Sequence, residues 1–397
     1  MMLLMGQLSR STALDGLRGW AACVVILHHT IGWMNPNLLR DVYPATFFEA
    51  TSARWVYAKI VMTLLSGESA VILFFVLSGL VLGRSLGRSF ASSPAWETVI
   101  SFPVKRLLRI YPSNISCLWW SAGILIVLSS VRPSLFGVFD LNDVISNSLL
   151  TNTNLQGAIW TLQVEILAII PLTISAFISH LYGTKWGIVF IITISIAAHF
   201  IPTSTHGFMT LFSLIYIAFG YAVNSKVGEL TGRISNIYLA MIVFLFLPTF
   251  LAEQWVGRSF VQGFLGFIFV SALYHGGASS LKSFLSSPTS QFFGRISFSL
   301  YLWNVIILRI SMALYSSIYA EPGIHMLSKG IIFGLIVILI SLPISACAEK
   351  YIERPSIALG TRLSSWIVGL LRRAGYVNPV PIVVTIDNAL ETHGAVT

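Results

Sequence analysis

The stretch LDGLRGWAACVVILHHT, Leu14 to Thr30, sets an apolar run between one arginine and two histidines. Arg18 and His29 are eleven residues apart. On an α-helix eleven steps make almost three turns, so both side chains share one face, roughly 16 Å apart along the axis. His28 points about 80° away from that face. Such a helix carries a permanent cation near one mouth of a membrane span and an imidazole deep inside it. Ionisable groups at that depth are expensive, and a functional site is the default reading of one.

The rest of the chain supplies the membrane context. Its 397 residues are 55% hydrophobic and only 10% charged, against about 25% charged in soluble domains. Mean hydropathy is +0.81. No water-soluble packing hides so much hydrocarbon, which predicts an all-α, polytopic transmembrane bundle in the cell membrane. Ten spans are expected, near Leu17–Met34, Ile60–Leu82, Tyr111–Val131, Gly157–Ser179, Trp186–Ile201, Phe208–Val223, Ile237–Leu251, Phe260–Tyr274, Ile296–Tyr319 and Gly330–Ala348. With the N-terminus in the cytoplasm, seventeen Lys and Arg fall on cytoplasmic segments, six on outer ones, and Arg309 lies inside the ninth span. That bias predicts both termini inside. It also accounts for the net charge of +9 without a nucleic-acid partner. Residues 1–375 read as one transmembrane domain and 376–397 as a cytoplasmic tail.

Cys23, Cys117 and Cys347 each lie in apolar runs, at no metal-site spacing, and read as small buried hydrophobes. The leader MMLLMGQLSR reads as no cleavable signal, since its apolar stretch is short. No phosphate-binding loop, dinucleotide glycine fingerprint, HExxH or G-x-S-x-G occurs, which argues against the commonest energy-coupled and hydrolytic classes.

Several residues suit chemistry. An imidazole's intrinsic pKa lies near neutrality and desolvation lowers it, so His29 is either a general base or a histidine that hydrogen-bonds between helices. Glu165, in WTLQVEILAII, needs a partner if buried. Measured from the expected span ends it reaches the depth of His29, where a carboxylate would fix the imidazole tautomer. In KRLLRIYP, Lys105, Arg106 and Arg109 fall at three- and four-residue steps. They suit either a polyanion such as the phosphates of coenzyme A, or anionic lipid headgroups. Ser78 and Gly79 make a small-residue notch. Ser297, Tyr301 and Asn304 form a polar stripe that either glues helices or lines a cavity. In AEKYIERPSI, Glu349, Glu353 and Arg354 read as an ion-paired cap.

The segments LDGLRGWAACVVILHH, LFFVLSGLVL, KRLLRIYP, WTLQVE, GRISFSLYLWN and YIERP occur in this order. Together they resemble the acyltransferase-3 family, membrane enzymes that acylate extracytoplasmic carbohydrates and some small molecules. The resemblance runs from about Ala13 to Ile357. It implies transfer of an acetyl or other short acyl group from cytoplasmic acyl-CoA to a hydroxyl outside, with no metal. The family's spaced arginine and histidine fall on Arg18 and His29, its basic motif on Lys105 and Arg109 with Arg106 between, and its glutamate on Glu165. Three departures stand out: Lys105 replaces the usual arginine, Ile72 replaces an acidic residue (with Glu68 one turn earlier), and Asn304 stands where histidine is frequent.

The resulting expectation has Arg18, Lys105, Arg106 and Arg109 holding acyl-CoA. His29, oriented by Glu165, then acts as base or acyl carrier, and Ser78, Ser297 or Tyr301 contacts the oxyanion or the acceptor. The alternative is a proton-coupled exporter of a polar metabolite that uses the same His–Glu pair as a relay.

Overall fold

A computed structural model describes residues 2–200, 212–251, 256–315 and 325–374. The tail at 376–397, and parts of the expected sixth and ninth spans, lie outside them. The α-helices run α1 (Met2–Met34), α2 (Ala53–Leu64), α3 (Gly67–Ser92), α4 (Ala95–Val131), α5 (Leu141–Ser148), α6 (Trp160–Leu167), α7 (Ile169–Tyr182) and α8 (Thr184–His199). They continue as α9 (Leu214–Ala222), α10 (Lys226–Ile234), α11 (Ile237–Phe246), α12 (Val256–His275), α13 (Ser280–Leu285), α14 (Pro288–Tyr315), α15 (His325–Ala348) and α16 (Arg354–Arg373). No strand occurs among the described residues.

Among the described residues, five helices are long and apolar enough to cross a membrane: Ala53–Ser92, Ala95–Val131, Trp160–Tyr182, Pro288–Leu314 and Leu327–Arg373. A sixth arises if Lys226–Ile234 and Ile237–Phe250, bent by 100°, count together. The described residues thus do not confirm all ten expected spans, and part of the reason is local. Arg18, His28, His29 and Thr30 dilute the apolar run of α1, and α9 and α11 are too short to cross alone. Large apolar side chains such as Trp120, Val127, Ile170 and Leu339 are exposed, the arrangement expected of lipid-facing walls.

Helix α1 packs against α3, α14 and α15 and so sits inside the bundle. It meets α14 backbone to backbone. A Cβ on Gly19 would strike Phe293 and Gly294, and one on Gly294 would strike the Asp15 carbonyl. The α3–α9 contact uses the same device, since a Cβ on Gly79 would meet the Ile217 carbonyl and one on Gly220 the Val76 carbonyl. Close approach of this kind substitutes for the hydrophobic driving force that lipid removes.

The expected span Ile60–Leu82 lies within Ala53–Ser92, with a short interruption between α2 and α3. Helix α2 ends at Leu64, and the Ser66 side chain caps α3 by accepting from the Ser69 amide. The Leu65 carbonyl at the break faces His28, whose Nδ1 lies 3.1 Å from it. That histidine therefore satisfies a backbone group the break exposes.

Candidate active site

Helix α4 begins at Ala95, well before the Tyr111 start expected of that span. Arg106 is consequently inside the bundle and not at a surface lip. Its side chain is only 9% exposed, and a guanidinium so enclosed requires a counter-charge. Glu165 of α6 supplies it: Arg106 Nη2 donates to Glu165 Oε2 at 2.5 Å. The other carboxylate oxygen accepts from Ser78 of α3 at 3.2 Å. Arg106 Nε has no hydrogen-bond partner among the described residues.

This pair lies in a narrow cleft of about 60 Å³. Arg18, Arg109, Thr161, Ser297 and Tyr301 supply its other polar walls, and Phe74, Phe75, Leu162 and Phe298 its apolar ones. The cleft shares Arg18, Arg109, Ser297 and Phe298 with a wider cavity of about 270 Å³, into which Asp15, Gln291, Arg295 and Glu353 also face. Three guanidinium groups thus meet one carboxylate in the cleft. Arg109 is partly committed: its Nη2 lies 3.6 Å from Glu353 Oε1, and its guanidinium sits 5.9 Å from the Phe298 ring centre. Arg18 has no hydrogen-bond or ion-pair partner among the described residues, so its donors face the cavity. An excess of positive charge behind apolar walls attracts anions strongly, because little water screens it.

The hydroxyls in the cleft are already engaged as donors. Ser78 donates to Glu165, Ser297 to the Gly294 carbonyl at 2.8 Å, and Tyr301 to the Ala158 carbonyl at 3.2 Å. Their oxygens can still accept from a ligand. In this arrangement an oxyanion would find the arginines and not these hydroxyls.

Two expected placements do not hold. The first is the pairing of Glu165 with His29, because both oxygens of Glu165 are taken by Arg106 and Ser78. His29 is half-buried and does not line the cleft. Its ring meets His28 edge-on at 5.9 Å. Phe74 and Tyr301 of the cleft wall belong to an apolar cluster that also contains Val25 and Ala70. The depth estimate compared height alone: Glu165 does lie near the start of the span Trp160–Tyr182, but height along a helix does not say which neighbouring helix its carboxylate faces. The second is Lys105, which is exposed and lines a different cavity, against α16.

Two ion pairs were hidden from the sequence reading. Arg354 does bond Glu349, at 2.5 Å, as the cap reading expects. Glu353 instead turns inward, to Arg109 and to the Ser299 hydroxyl at 3.0 Å. The signal was a pair of carboxylates four residues apart, both buried, on a π-helical turn that shifts their direction. Glu68 pairs with buried Arg258 at 3.2 Å and also accepts from the Tyr43 hydroxyl.

No group of three or more metal-ligating side chains occurs among the described residues. The family model described as an acyltransferase domain matches residues 11–349. The chain therefore belongs to this acyltransferase family, and its apolar helices fit a membrane enzyme. No curated protein and no solved structure matches it.

Proposed function

We propose that this protein is a membrane O-acyltransferase that moves an acetyl or other short acyl group from cytoplasmic acyl-CoA to a hydroxyl of an extracytoplasmic carbohydrate or small molecule. The observation that carries this reading is the cationic cleft, in which Arg18 is uncommitted beside Arg106 and Arg109. In this account the coenzyme A phosphates bind to these arginines at the wide cavity. The narrow cleft, with its aromatic walls, admits a thin chain and suits the pantetheine arm.

Helix geometry places His29 about 16 Å further along the same face of α1 as Arg18. An extended pantetheine arm covers a comparable span once Phe74 and Tyr301 part. His29 then accepts the acceptor's hydroxyl proton while that oxygen attacks the thioester carbonyl. The C–S bond breaks, and the departing thiolate takes the proton from the imidazolium. If His29 carries the acyl group transiently, its ring nitrogen attacks the thioester carbonyl as the C–S bond breaks, and the acceptor oxygen then displaces that nitrogen while its hydroxyl proton passes to the thiolate. Glu165 serves here to hold Arg106 in place, not to orient His29. The relay of the exporter reading needs a His29–Glu165 contact, which is absent among the described residues.

The test uses membranes containing the protein, radiolabelled acetyl-CoA and a panel of cell-surface glycans. Label transfer to a glycan by the wild type, lost in His29→Ala, is the expected result. Flux of a polar solute that depends on a proton gradient, with no acylated product, would replace the proposal with the exporter reading.

A further inference from the structure

Lys105 points to a site of its own. Helices α4 and α16 touch closely where a Cβ on Gly360 would come within 3.3 Å of the Lys105 Cα and the Leu108 Cβ. Further along, Arg372 of α16 reaches Glu97 of α4 through both Nε and Nη2. Between these two ties the helices leave a cavity of about 320 Å³. Its walls are mostly hydroxyls, from Ser89, Ser93, Thr98, Ser101, Ser364 and Ser365, with Lys105 at the rim and Val368 as the one wholly apolar side chain.

The hydrogen-bond state of these hydroxyls says what fits. Thr98 is 2% exposed, and its Oγ1 has no partner among the described residues. A buried hydroxyl left unpaired is costly, and one facing a cavity is satisfied by whatever fills it. Ser101, Ser364 and Ser365 already donate to the carbonyls of Glu97 and Thr361, so toward the cavity they offer acceptor lone pairs. With Arg372 and Glu97 neutralising each other, Lys105 leaves the site with one positive charge. The matching ligand carries an anionic group for Lys105 and Thr98 and hydroxyl donors for the serines. No aromatic ring lines the cavity, so nothing there stacks on a nucleotide base.

The rim identifies the source. Val99, Trp366 and Leu370, each next in sequence to a lining residue, are large apolar side chains exposed on the outside of the two helices. A polar pocket beside exposed large apolar residues suits a molecule with a polar head and hydrocarbon tails. We infer that the cavity between α4 and α16 is a binding site for one anionic glycerophospholipid with a hydroxylated headgroup, with its phosphate at Lys105 and Thr98 and its headgroup hydroxyls on the serines.

Gly369 offers a clean test. It lines the cavity, and a Cβ there meets nothing within 4 Å. Gly369→Leu would fill the pocket while also improving helix propensity, so the variant is expected to fold. Detergent-purified protein is titrated with phosphatidylglycerol, phosphatidylcholine or adenosine 3′,5′-bisphosphate. Retention is read by native mass spectrometry and the unfolding midpoint by tryptophan fluorescence. Phosphatidylglycerol should bind and raise the midpoint of the wild type, phosphatidylcholine should not, and Gly369→Leu should lose the effect. Lys105→Ala should weaken binding by about fivefold. Equal binding of the two lipids, or undiminished phosphatidylglycerol binding by Gly369→Leu, overturns the inference. Loss of the bisphosphate and not of the lipid in Gly369→Leu would also overturn it, in favour of a nucleotide phosphate.

Discussion

A double-mutant cycle on Arg106 and Glu165 tests the geometry of the cleft. Arg106→Met and Glu165→Leu each leave one buried charge without its partner. Removing one member of a buried ion pair costs about 3–5 kcal/mol. Glu165 is 20% exposed and keeps Ser78 nearby, so water and the hydroxyl relieve part of the penalty and the lower end, about 3 kcal/mol, applies. In the double variant neither member of the pair is left unpartnered, and two apolar groups of similar volume meet in the cleft beside Arg18 and Arg109. Its destabilisation should fall below that of either single variant, giving a coupling of at least about 3 kcal/mol. The companion cycle on His29→Ala and Glu165→Leu should be additive within about 0.5 kcal/mol. Both cycles are read as unfolding free energies in detergent micelles by tryptophan fluorescence. Additivity for Arg106 with Glu165, or strong coupling for His29 with Glu165, would refute the placement of the carboxylate.

Other outcomes follow from the packing. Gly79→Ala forces a methyl group onto the Ile217 carbonyl and should destabilise by about 1–3 kcal/mol, measured as a lowered unfolding midpoint. Gly87→Ala, where a Cβ meets nothing within 4 Å, should be neutral or slightly stabilising in the same assay. Gly67→Ala would push on the His28 ring and its bond to the Leu65 carbonyl. The amide of Leu65 or its neighbours should then exchange hydrogen faster, and unchanged exchange would mean that His28 does not tie the α2–α3 break.

Much of this was legible from residue types and helical phase. The hydropathy of the chain dictates helices, and the family pattern marks Arg18, Arg106, Arg109 and Glu165, which do come together around one cleft with Ser78, Ser297 and Tyr301. Lys105 was misplaced because successive residues on a helix point about 100° apart. Once Arg106 faces inward, Lys105 must turn toward α16. For His29, phase along α1 says nothing of which side chains from other helices line the cleft beside Arg18. Val25, Ala70 and Tyr301 come together from three helices, and no one helix's pattern encodes that layer. The partner of Glu165 is likewise a tertiary matter, decided by which buried cation most needs an anion. Glu353 was assigned to the cap with Arg354, whereas it sits on a π-helical turn and pairs with Arg109.

The central claim is that the arginine cleft exists to bind the donor, and coenzyme A binding to purified protein tests it most directly. Arg18 has no hydrogen-bond or ion-pair partner among the described residues, so Arg18→Met should leave the unfolding midpoint unchanged. Its affinity for coenzyme A should fall by about tenfold to a hundredfold, the value of one or two charge-assisted hydrogen bonds, and wild-type affinity should weaken as salt rises. Equal affinity in wild type and Arg18→Met, with no dependence on salt, would contradict the account.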